Sequence, residues 1–165
     1  MVVKYVCDFL FGAIRKKDYN EKFISISLKY QIPIDYTFES CALFPVKKSH
    51  YDYIFFRLTK EYCDCGTPLG YDCDEINTKY LSTPHKRQLY LNSIYKTIDN
   101  YIGWLKELNE SSCINHVYII KHFDDNTPEK ECNKHVVHID DINIEFLIDL
   151  ENEIAYKVQF YKKYD

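Results

Sequence analysis

An α+β fold, built on an antiparallel or mixed β-sheet with one long amphipathic helix packed on a face, is what this sequence predicts. Three observations carry the prediction. Leu91, Ile94, Ile98, Tyr101, Leu105 and Leu108 follow one another in steps of three and four, which keeps them on one side of a helix. Shorter stretches before and after it alternate apolar and polar residues, the period of a half-covered strand. At residues 142–150 and 154–160 the alternation is strict, and only Glu151, Asn152 and Glu153 lie between, so a C-terminal β-hairpin is expected.

Taken in chain order, Val3, Tyr5, Cys7, Phe9, Phe11 and Ala13 alternate, but Val2, Val6, Phe9, Leu10 and Ala13 also make a helical stripe. The β-branched and aromatic residues favour a strand. Ile24, Ile26, Leu28 and Tyr30 alternate with Ser25, Ser27 and Lys29, which predicts a strand ended by Pro33. Residues 42–44 and 51–59 read as two more strands. The long helix is expected over residues 84–108, capped by Thr83, with Pro84 at its first position. Gly103 inside it disfavours helix unless something packs closely there. Strands are then expected at residues 117–122 and 135–139, separated by the charged loop of residues 124–131.

The chain has 165 residues, 46% of them hydrophobic and 16% aromatic, enough to bury a core as a single domain spanning residues 1–165. Four glycines and five prolines leave no room for phosphate-binding glycine loops, linkers or repeats. No run of apolar residues is long enough to span a membrane, and no signal-peptide pattern is seen at the N-terminus, where Lys4 and Asp8 interrupt the apolar run. Seven cysteines, an odd number and mostly scattered, suit reduced thiols in a cytoplasm. Cys7 and Cys41 sit among apolar neighbours as small core residues would.

Two clusters suggest metal chemistry. Cys63, Cys65 and Cys73 lie in a loop with Gly66, Pro68 and Gly70, and His85 follows in the first turn of the helix. Three thiolates and an imidazole are a tetrahedral zinc set, and the glycines let the loop curl, although the spacing is not that of paired zinc ribbons. This is the candidate structural zinc site, set against a cysteine loop without metal. Cys132, His135 and His138 form the second cluster, but on a strand residues three apart point to opposite faces, which argues against a shared ion. Catalytic signatures are missing: no nucleophile elbow, phosphate loop, dinucleotide fingerprint or zinc-protease helix occurs, so no catalytic residue is assigned.

Net charge is −4, and the acidic excess lies in the last third of the chain. An acidic balance disfavours nucleic acid and suits a basic protein partner. The expected contact surface is Asp140, Asp141, Glu145, Asp149, Glu151 and Glu153. The profile fits a protein-binding or inhibitory module, such as a cytoplasmic immunity protein that neutralises a toxin domain. A small zinc-stabilised interaction module and a hydrolase built from dispersed residues are the alternatives. The zinc site has a direct test. Protein purified without chelator should carry zinc and lose thermal stability in EDTA. Zinc-free protein whose melting EDTA leaves unchanged removes the site.

Overall fold

The computed structural model describes residues 7–34, 37–38, 52–59, 83–124 and 132–161. Strand β1 (Cys7–Arg15) leads through a 3-10 turn (Lys16–Asp18) into helix α1 (Glu21–Lys29). Strands β2 (Thr37–Phe38) and β3 (Tyr53–Arg57) precede the long helix α2 (Pro84–Ser111). Then come β4 (His116–Asp124), β5 (Asn133–His138), a further 3-10 turn (Ile139–Asp141), the short helix α3 (Ile144–Ile148) and β6 (Ile154–Gln159). The strands form one six-stranded sheet in the order β2-β3-β1-β4-β6-β5. β1 runs antiparallel to both β3 and β4, and β4 antiparallel to β6. β5 and β6 are parallel, so the sheet is mixed. The expected α+β class therefore holds, with the long helix lying on one sheet face. Among the described residues no helix is long and apolar enough to cross a membrane.

The core lies between that face and the helices. Ile98, Tyr101, Trp104, Leu105 and Leu108 of α2 are buried with Leu10 and Ile14 of β1, Phe56 of β3, Val117 and Ile119 of β4, and Val158 of β6. The Thr83 side chain accepts from the Lys86 amide and caps α2. Three aromatic rings meet at the centre: Phe23 from α1, Phe56 from β3 and Trp104 from α2, with ring centres 5.8 to 6.5 Å apart and edge-to-face tilts. Gly12 makes room for Phe56. The two residues are partners across β1 and β3, and a Cβ on Gly12 would fall 2.3 Å from the Phe56 ring. Gly103 has a similar role in α2, where an added Cβ would come 2.8 Å from the Tyr30 ring.

Two segments expected as strands are helical. Residues 24–29 belong to α1 and Tyr30 is its C-cap, while Asn20 caps the start by accepting from the Phe23 amide at 3.0 Å. The buried stripe is Phe23, Ile26 and Ser27, while Leu28, which the strand reading buries, is 55% exposed. Ser27 hides the stripe because a polar residue occupies a core position, where it accepts from the Trp104 indole at 3.1 Å. Residues 142–150 are not the first arm of a hairpin. Asn143 caps α3 by accepting from the Phe146 amide at 2.8 Å, and Ile142, Leu147 and Leu150 are the buried residues. The antiparallel pair at the C-terminal end is instead β4 with β6. Because β5 and β6 run parallel, the chain between them must cross back over the sheet, and a helix is the usual way to do so. The expected strand at residues 42–44, Cys41 and most of the charged loop lie outside the described residues.

A glycine-to-alanine change in a strand ordinarily helps by about 0.4–1 kcal/mol through the unfolded chain. Gly12→Ala should do the opposite and lower stability by about 1–3 kcal/mol in a denaturant melt, because Phe56 must move. Adding Phe56→Leu to Gly12→Ala should cost less than the two single changes combined.

Candidate functional site

The expected contact residues lie on the crossover from β5 to β6. Its apolar side, Ile139, Ile142, Leu147 and Leu150, is buried in the same core as α2. Asp140, Asp141, Glu145, Asp149 and Glu151 are exposed. In α3, Glu145 and Asp149 are four residues apart at the helix and its C-cap, so they share a side although the segment is not a strand. The sequence from Ile139 to Glu153 holds no lysine or arginine. Among the described residues Asp141, Glu145, Asp149 and Glu151 have no ion-pair partner.

The other two carboxylates are engaged. Asp140 accepts from the Tyr161 hydroxyl and lies 3.3 Å from Nδ1 of His138, whose ring packs edge-on against Tyr161. Glu153 pairs with Nδ1 of His122 at 2.8 Å, and its amide donates to the Lys121 carbonyl. Its backbone is left-handed, with φ 63°, in the turn that starts β6. Glu153 thus ties β6 to β4 and is the least available of the six.

The sheet face away from the helices carries the opposite charge. Strand alternation sends Phe9, Phe11, Ala13 and Arg15 of β1 to this side, with Tyr53, Phe55 and Arg57 of β3, His116, Tyr118 and Ile120 of β4, and Ala155, Lys157 and Gln159 of β6. A second apolar cluster of Ala13, Tyr53, Phe55, Tyr118, Ile120, Cys132 and Ala155 forms its floor. Cations lie over the aromatics: Arg57 stands 5.0 Å from the Phe9 ring centre and Lys134 5.8 Å from that of Tyr118. Tyr53 meets Tyr118 edge-on at 5.8 Å and accepts a hydrogen bond from Arg15. Burial holds the Tyr118 phenol well above the ordinary tyrosine range, with the neighbouring Tyr53 adding to the effect.

His116, on the same face, is perturbed in the direction that keeps it neutral. It is 5% exposed, stands edge-on to Tyr118 at 5.3 Å, and its Nε2 has no hydrogen-bond partner among the described residues. Burial first, then the positive charges of Lys157, Arg15, Lys134 and Lys17, push its pKa down to about 4. These residues come from different strands, and only the register brings them together. The alternation of Lys157 and Gln159 with apolar residues was the one sequence signal, and it gives a facing direction without naming neighbours.

The zinc candidates Cys63, Cys65 and Cys73 lie outside the described residues, and His85 is exposed in the first turn of α2. Cys132 is buried. His135 pairs with Tyr156 and packs its ring on that side, while His138 pairs with Gln159, so the two histidines take opposite faces. Among the described residues no group of three or more His, Cys, Asp or Glu side chains could hold a metal ion.

Because His116 is neutral in the folded chain down to about pH 4, the unfolded chain binds the extra proton between there and its ordinary pKa of 6.5. Stability should therefore fall as pH drops through that window, by about 2–3 kcal/mol from this group. His116→Gln cannot titrate, and its melts from pH 7 to pH 4 should lose less than the parent by that difference. No family model matches the chain, and comparison with curated proteins and with solved structures gives no match either.

Proposed function

We propose that the chain is a protein-binding module that holds a basic partner on its β5–β6 crossover, in the manner of an immunity protein capping a toxin domain. One observation supports this above others. A run of exposed carboxylates with no interspersed cation sits on a segment anchored by four buried apolar residues, Ile139, Ile142, Leu147 and Leu150. An anchored acidic surface presents its charge in one arrangement, with little ordering left to do on binding. Such a surface steers a basic partner and raises the rate of encounter. Ile144, Phe146 and Ile148 are half-buried between the acids, and they offer apolar contact at the centre of a charged rim.

Crosslinking in the cells that produce the chain, followed by mass spectrometry, names the partner. Its affinity is then compared between the parent and the double variant Glu145→Lys with Asp149→Lys. Binding should weaken by more than about tenfold, or 1.4 kcal/mol, with the fold intact by circular dichroism. Association with the parent should slow as salt rises. Unchanged affinity together with unchanged salt dependence overturns the reading.

A further inference from the structure

We propose that a recess at the ends of β1, β4 and β6 binds a phosphoryl group, either inorganic phosphate or a phosphate monoester. It encloses about 230 Å³ and is lined by Arg15, Asn115, His116, Lys157, Gln159 and Phe160. This goes beyond the acidic contact surface and rests on different residues of opposite charge.

The lining holds three basic side chains and two carboxamides, and no carboxylate. The register explains the convergence. His116 and Gln159 are direct partners across β4 and β6, and Lys157 stands on the same face two residues before Gln159. Arg15 ends β1 beside Tyr53. The carboxylate whose charge Arg15 feels is that of Asp18, in the turn after β1. Lys157 has its pKa lowered by burial and then by the like charges of Lys134 and Arg15. The cations repel one another around an opening, and an anion seated there removes the repulsion.

The unpartnered Nε2 of His116 points to the same conclusion. A buried polar atom with no partner among the described residues is costly, and such an atom calls for a partner from outside the chain, an ion or a water. In the neutral ring this nitrogen can carry the proton and donate it to an oxyanion. The number of donors decides between oxyanions. A guanidinium fork, an ammonium, an imidazole and two amides exceed what the two oxygens of a carboxylate can accept. A phosphoryl group presents three terminal oxygens and up to two negative charges, which matches the set. Phe160 leaves an apolar wall for the carbon part of an ester.

The test follows the His116 ring by NMR while inorganic phosphate is added at neutral pH and constant ionic strength, with calorimetry alongside. A saturable shift at His116 is expected, and none with sodium acetate. Lys157→Met and Arg15→Gln, both folded by circular dichroism, should each weaken binding by at least about tenfold. No saturable shift in the parent overturns the proposal, as does an equal response to acetate or undiminished binding in both variants. Glycerol phosphate and a phosphoserine peptide serve as further arms. Tighter binding of either supports the site and identifies what carries the phosphoryl group, and equal binding of all three supports it with inorganic phosphate as the ligand.

Discussion

The ring of Phe56 occupies the space that a side chain at position 12 would fill, and the helical layer is arranged around that contact. The same ring meets Phe23 and Trp104 in edge-to-face contacts. Those two rings belong to α1 and α2, so one close approach within the sheet sets where both helices can sit. The Trp104 indole then finds its hydrogen-bond acceptor on Ser27 of α1. Dense packing of this kind admits few alternatives, because every ring is both support and load for the others.

The same sheet separates charge. β5 and β6 run parallel, so their connection must return across the sheet, and it does so on the helical side, where Phe146 packs edge-on against Tyr156. The acids ride on that connection. The opposite face receives the odd-numbered residues of β1 and β6, among them Arg15 and Lys157, together with Lys134 of β5. One strand order thus gives the molecule an acidic layer and a basic face, although its net charge is only −4.

Much of the architecture was legible because its signals were long or doubled. α2 had six periodic apolar positions and a Thr83-Pro84 start. β3, β4, β5 and β6 were read from β-rich runs bounded by polar residues. The errors have one physical origin: short apolar runs satisfy both periods, and capping settles them. Asn20 before Phe23 and Asn143 before Phe146 were the deciding residues. The exposure of Glu145 and Asp149 survived the change from strand to helix, because charged side chains seek water on either. The recess around His116 was not legible, since neighbours across strands depend on register, and nothing local in the sequence states that β1 pairs with β4.

That pairing has a kinetic side. β1 and β4 are joined through residues roughly a hundred positions apart, and closing so long a loop carries an entropic cost before any contact repays it. β4, β5 and β6, by contrast, are near neighbours in the chain. As the protein leaves the ribosome, β1, α1 and β3 emerge first, yet one edge of β1 has no strand to pair with until α2 and β4 have followed. During that interval an apolar strand carrying Phe9, Leu10 and Phe11 presents open backbone groups to any other nascent chain. The hazard for this fold therefore lies in its synthesis: an arrest or truncation before β4 leaves β1, one of the sheet's two central strands, as an edge.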